Sequence, residues 1–273
     1  MLNKMKKYLS PQLYDAILEG SKDVDTRKHT RKKLTIFFSD VVGFTSTTDS
    51  MEAEDISELL NSYLDSMAKI ALKWGGTIDK FVGDAIMVFF GDPDFTSDRD
   101  HALKAVSMAL EMREKMIELR LEWADAGVEK PLHIRIGINT GYCTIGNFGS
   151  ENRMDYTIIG GNVNLAARLE TAAQPDNILI SHETYSFVKE KIECEYIGEL
   201  NYKGLKEPIK TYKVIRLRDE SFSAETEFVK ITEDSVVLKD NLLAPKNMTK
   251  EDREKFISSL RMAISYTEEI AKR

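Results

Sequence analysis

Apolar patterning along the chain predicts an α+β fold on a β-α-β-β-α-β core, the ferredoxin-like arrangement, with extra strands and helices after it. Three observations carry this. Leu34 to Phe38 is an apolar run of strand length, and Ser50 to Trp74 places Ile56, Leu59, Leu60, Tyr63, Met67 and Ile70 at helical spacing. Thr77 to Gly91 then holds two apolar runs around a tight turn at Val82-Gly83-Asp84, a β-hairpin pattern.

Taken in order, residues 1–33 predict an N-terminal helix and a linker. Ser10-Pro11 is a good helix start, Leu13, Ile17 and Leu18 share a side, and Gly20 is a stop. The polar run holding Arg27, Lys28, Arg31, Lys32 and Lys33 reads as a solvated linker. A compact domain follows over residues 34–216. Gly75-Gly76 closes its first helix in the expected C-terminal manner. The second hairpin strand, Ala85 to Phe90, is apolar on both faces, so it is expected at the centre of the sheet, covered on both sides. Asp92-Pro93-Asp94 breaks the chain before a second amphipathic helix, Ser97 to Trp123, and Leu132 to Ile138 alternates as a strand. Gly141 to Ile159 reads as strand, Gly-rich turn and strand, and Asn162 to Ala173 as a shorter helix. A short strand at Ile178 to Ile180 and a short helix at Glu183 to Lys189 come next. Ile192 to Leu200 and Pro208 to Ile215 form a closing strand pair. Residues 217–273 form a C-terminal extension, weakly patterned until the amphipathic helix Thr249 to Lys272. That helix is expected to pack on the main domain, a dimer contact being the alternative.

Composition narrows the function. A content of 42% hydrophobic and 30% charged residues is that of an ordinary globular protein, and a net charge of −7 argues against nucleic acid as partner. No apolar run approaches the roughly 20 residues that cross a bilayer, and no signal peptide opens the chain, so no transmembrane segment is expected and the cytoplasm is the default compartment. Cys143 and Cys194 and the scattered histidines have no metal-ligand spacing, which disfavours zinc.

Two acidic positions point to chemistry. Asp40 ends the first strand and Asp84 sits at the hairpin turn; neighbouring first and third strands would bring both carboxylates to one edge. Paired carboxylates with few other ligands suit Mg²⁺ or Mn²⁺, which keep waters and phosphate oxygens as remaining partners. After Asp40, Val41-Val42-Gly43-Phe44-Thr45 enters a helical region whose free N–H groups suit a triphosphate. Lys80, four residues before Asp84, is a costly charge beside an apolar strand unless a ligand pairs it. A solvated hairpin tip is the alternative reading of that pair.

The segments FSDVVGFT, DKFVGDAIMVFFG, GINTG and YTIIGGNVNLAARLE resemble, in order and spacing, the class III nucleotidyl cyclase catalytic domain over Leu34 to Ile215. KYLSPQLYDAILEG is similar to the segment preceding many bacterial cyclase domains. The resemblance implies the class III cyclase fold and a head-to-tail homodimer with two equivalent sites at its interface. It implies that Asp40 and Asp84 bind two divalent metal ions, one activating the ribose 3′-hydroxyl and the other steadying the leaving pyrophosphate. Phe44 and Thr45 match the phosphate-holding turn, and Lys206 matches a phosphate-binding lysine. Lys80 matches the purine-reading lysine, which donates to adenine N1, and Thr157 its partner for the exocyclic amine, so ATP is implied over GTP. Asn164 and Arg168 match the ribose-orienting asparagine and the transition-state arginine; four apart on a predicted helix, they share a face. Threonine at position 157 resembles the type-b subclass, often stimulated by bicarbonate. Some relatives carry an arginine where this chain has Tyr142. The implied activity is adenylate cyclase, ATP to cyclic AMP and pyrophosphate. The alternatives are a guanylate or diguanylate cyclase, or an inactive cyclase-like domain that binds nucleotide or a partner.

Overall fold

The computed structural model describes residues 29–48, 51–128, 131–150, 153–201, 208–218, 224–225, 229–232, 235–238 and 248–271. The predicted N-terminal helix and Lys206 lie outside these residues. The chain divides into two compact units, Met1–Leu217 and Arg218–Arg273.

In the first unit the order is β1 (Thr30–Val41), α1 (Phe44–Thr48), α2 (Ala53–Lys73), β2 (Thr77–Val82), β3 (Ala85–Phe90), α3 (Asp98–Asp125), β4 (Ile134–Ser150), β5 (Arg153–Ile159), α4 (Gly161–Ala172), β6 (Ile178–Ser181), α5 (His182–Val188), β7 (Ile192–Leu200) and β8 (Ile209–Leu217). One eight-stranded sheet runs β2-β3-β1-β4-β6-β8-β7, with β5 paired to β4. Its first four members are the ferredoxin-like core, with β1 antiparallel to both β3 and β4. β3 lies one strand in from the edge and not at the centre of the sheet, yet it is covered on both faces as its apolar run requires, with Ile86 to Phe90 all buried.

Strand alternation divides the core between the two faces of the sheet. Ile86, Val88 and Phe90 join Leu59, Tyr63 and Met67 of α2 and Ala105, Met112 and Met116 of α3 in the main cluster. Met87 and Phe89 join Ile36, Ile145, Ile158 and, from α4, Val163 and Ala166 in a second. The helix ends follow local chemistry. The Ser97 side chain accepts from Asp100 N at 3.1 Å and caps α3, and Gly75, at φ +76°, lets the chain leave α2.

Two further expectations are corrected. Arg31 to Lys33 lie inside β1, paired with Tyr142 to Thr144, and do not form a solvated linker. Their charges are met: Lys32 pairs with buried Asp92 at 2.5 Å, Lys33 with Glu183 at 2.7 Å, and the Arg31 guanidinium lies 5.2 Å from the Tyr142 ring centre. Leu132 to Ser150 is also not broken near Gly141; β4 runs unbroken past Gly137 and Gly141. Those glycines serve close approach. A Cβ on Gly137 would lie 2.1 Å from Glu170 N and 2.3 Å from Ala166 O, and one on Gly141 would lie 2.4 Å from the Asn162 side chain.

The second unit, taken by itself, holds β9 (Ala224–Glu225), β10 (Val229–Thr232) and β11 (Ser235–Leu238) as a three-stranded sheet, where only weak patterning was expected, and α6 (Lys250–Ala271). α6 is amphipathic, with Ser259 and Ala263 buried and Ile257 and Ile264 exposed. Among the described residues no helix is long and apolar enough to cross a membrane.

Candidate active site

The sheet order brings Asp40 and Asp84 together. β1 and β3 pair up to Ser39 and Ile86; beyond that pair come Asp40 on β1 and, past Ala85, Gly83-Asp84 in the two-residue hairpin turn. Gly83 takes φ +62°, a conformation glycine reaches at no steric cost, and the turn carries Asp84 back over β1. There Asp84 Oδ2 accepts from Val41 N at 3.1 Å, and its carboxyl lies within hydrogen-bonding reach of Asp40. Burial, and then the Asp40 carboxylate beside it, raise the Asp84 pKa to about 6. Two facing carboxylates of this kind repel until a cation neutralises them, and their hard oxygens fit Mg²⁺ or Mn²⁺. Among the described residues no group of three or more His, Cys, Asp or Glu is placed to hold a metal ion, so the site offers a pair of carboxylates.

Arg135 is a member of this group that sequence reasoning missed. It sits directly opposite Asp40 on β4, and its guanidinium donates to Asp40 Oδ2 at 2.9 Å. Its Nε lies 2.5 Å from Glu170 Oε1 on α4, a contact of charges rather than an aligned hydrogen bond. Burial raises the Glu170 pKa against the opposing pull of Arg135. The basic residue on an otherwise apolar alternating strand was the available signal.

Beyond Asp40, Gly43 at φ +67° turns the chain into the short helix α1. Phe44 packs on the main core and Thr45 is exposed, so the helix start is tethered on one side and open on the other.

A second group lies at the outer edge of the sheet. Lys80, on edge strand β2, has its Nζ 3.8 Å from Asp79 Oδ2, with its own side chain 39% exposed and that of Asp79 only 1%. The Thr157 hydroxyl, on β5, donates to the same Oδ2 at 2.7 Å. The structure therefore joins Lys80 and Thr157 through Asp79, which sequence reasoning also missed. On α4, Asn164 is exposed and Arg168 half-buried, one turn apart. At the Tyr142 position the ring is exposed, and the nearby cation is Arg31.

Lys80 pairs with Met87, whereas Asp84 follows the Val82–Ala85 pair and turns toward β1. About two residues of ladder, roughly 7 Å, and the width of β3 separate the two groups. Beside them the chain exposes apolar side chains: Phe81 at 44%, Val82 at 65%, and Tyr142 and Ile159.

Comparison with known proteins places the chain in a family. A solved structure described as the adenylyl cyclase CyaB from P. aeruginosa is 56% identical, with a TM-score of 0.69, and the match covers 70% of this chain and 97% of that one. A structure of the guanylyl cyclase Cya2 is 36% identical, with a TM-score of 0.66, over 70% of this chain and 95% of that one. An adenylate cyclase of Dictyostelium discoideum, terminal-differentiation specific, is 36% identical over 190 residues, 67% of this chain and 9% of its own length. The chain spans 9% and 44% of two curated relatives, so it matches one part of longer proteins. The family model for the adenylate and guanylate cyclase catalytic domain matches residues 26–216, and the chain belongs to that class III cyclase family.

Proposed function

We propose that the chain is an adenylate cyclase that converts ATP into 3′,5′-cyclic AMP and pyrophosphate, in sites shared between two copies. The observation that carries a cyclase reaction is the facing pair Asp40 and Asp84 at the end of β1. Divalent ions held there would supply positive charge to the phosphates and acidify the ribose 3′-hydroxyl. In the reaction the 3′-oxygen bonds to the α-phosphorus as its proton passes to solvent water, and the bond from that phosphorus to the bridging oxygen breaks with pyrophosphate leaving. Arg135, bound to Asp40, holds that carboxylate against the strand end. Phe44 and Thr45 present the start of α1 to the phosphates. Asn164 orients the ribose, and the Arg168 guanidinium offsets the charge that gathers on the α-phosphate in the transition state.

Lys80 supports ATP over GTP, because an ammonium only donates: it suits adenine N1 and opposes the N1–H of guanine. The two-chain arrangement has its own support. Lys80 and Asp84 would serve opposite ends of one nucleotide, which a single hairpin tip does not span. A second copy, placed head to tail, supplies Lys80, Thr157, Asn164 and Arg168 opposite Asp40 and Asp84, and covers exposed Phe81 and Val82. Threonine at 157 also supports the type-b subclass and a response to bicarbonate. The deciding assay gives the purified protein equal ATP and GTP with Mg²⁺ or Mn²⁺ and measures both cyclic products. Cyclic AMP as the main product is expected; mainly cyclic GMP makes the chain a guanylate cyclase, and neither product makes it an inactive relative.

A further inference from the structure

We propose that Asp79 sets the specificity of the purine site: its carboxylate accepts the hydrogen bond of the Thr157 hydroxyl, leaves the lone pairs of that oxygen to face the base as acceptors, and so selects the 6-amino group of adenine over the 6-oxo group of guanine. The inference rests on the reading of the chain as a cyclase whose Lys80 and Thr157 face the base.

The local backbone is built to place this carboxylate. β2 pairs Ile78 with Val88 and Lys80 with Met87, which leaves Asp79 as the extra residue of a β-bulge. A bulge disrupts the ladder and re-aims a side chain, and such devices recur next to active sites. Here the result is a carboxylate whose side chain is 1% exposed, on the edge strand of the sheet. Oδ2 accepts from Thr157 at 2.7 Å and sits 3.8 Å from the Lys80 ammonium, while Oδ1 is buried without a hydrogen-bond partner. A buried, half-satisfied carboxylate is costly to keep, and neutral residues of similar size would fill the place. Burial pushes the Asp79 pKa up, and the Thr157 hydroxyl and Lys80 oppose that push.

The chemistry follows from counting protons. A threonine hydroxyl has one proton and two lone pairs, and an ionised carboxylate only accepts. With its O–H directed at Asp79, Thr157 offers a purine nothing but lone pairs. The 6-amino group of adenine donates into them, whereas the 6-oxo group of guanine meets lone pair with lone pair. Lys80 alone reads only N1. Asp79 is thus a positioning residue that acts through Thr157, and its signature is a change in base preference.

The test is Asp79→Asn. The asparagine amide donates to Thr157, whose proton is then free to meet a 6-oxo group. The ratio of kcat/KM for ATP to that for GTP should fall about tenfold or more, the scale of one misdirected hydrogen bond in a buried site. The ratio of dissociation constants for 3′-deoxy-ATP and 3′-deoxy-GTP, which lack the nucleophile, should shift the same way. In a Thr157→Val background the Asp79→Asn change should alter neither ratio by more than about twofold, because the hydroxyl it acts through is gone. A folded Asp79→Asn protein whose ratios stay within twofold of wild type overturns the proposal. If that variant does not fold, the wild-type protein decides with one analogue. ATP should be used at least several-fold better than purine riboside triphosphate, which keeps the N1 acceptor that Lys80 reads and lacks only the 6-amino group, and equal use overturns the proposal. The underlying reading fails separately, by wild-type protein that makes no cyclic AMP.

Discussion

Gly137→Ala tests how tightly the site depends on the seat of α4. The added Cβ would lie 2.1 Å from Glu170 N, 2.3 Å from Ala166 O and 2.7 Å from Glu170 Cα. All three are backbone atoms of α4, so no rotamer change relieves the overlap. Restoring a separation of about 3.4 Å requires α4 to lift from β4 by roughly 1 Å, at a cost of about 1–3 kcal/mol for overpacking. For a unit of this size that lowers Tm by roughly 2–10 °C. The larger effect falls on turnover. α4 carries Asn164 and Arg168, and Glu170 on the same helix braces Arg135 against Asp40. A displacement of about 1 Å in a catalytic group costs on the order of 100-fold in rate. Melting would be followed by circular dichroism, and turnover by cyclic AMP formation at 20 °C, below the unfolding transition. A Gly137→Ala protein with Tm within 2 °C of wild type and turnover within threefold would refute this account.

Three other outcomes are expected. Asp84→Asn and Arg168→Ala homodimers should each be nearly inactive; mixed in equal amounts with free subunit exchange, half the dimers carry one intact site of two, restoring about a quarter of wild-type activity. Exchange demonstrated by mass spectrometry without that recovery would rule out the shared site. Bicarbonate at fixed pH should raise the cyclic AMP rate above a matched chloride control, and equal rates would remove the type-b regulatory assignment alone. His101, buried, accepts from Thr96 N at 3.1 Å through Nε2, and burial lowers its pKa below the usual 6.5. Below about pH 6.5 the unfolded chain takes up a proton that the folded ring refuses, so stability from this group is full above that pH and is lost as pH falls. Tm should therefore drop less between pH 7.5 and 5.5 in His101→Gln than in wild type, and equal drops would count against the assignment.

Much of the core was legible because its signals are local. The periods of 3.6 and 2 residues placed both long helices, the hairpin and the closing strand pair, since each pattern is written within about 20 consecutive residues. Ile86 to Phe90 advertised a doubly covered strand through their apolar run alone. The extent of β1 was not legible: Arg31 to Lys33 look solvated until Asp92, Glu183 and the Tyr142 ring arrive from distant parts of the chain. The join between Ile138 and Gly141 was hidden for a related reason, since a glycine that admits a neighbouring side chain interrupts the apolar alternation by which one continuous strand is read.

The sequence by itself determined the family, the class of fold and the side chains available for chemistry, because motif spacing and hydrophobic period survive without a third dimension. Tertiary structure decided which of those side chains work together. Asp40 meets Arg135 across 95 positions, and Asp79 meets Thr157 across 78. Both pairings depend on strand order and register, including a bulge that appears in no residue pattern, and these are settled only when the whole sheet closes over its core.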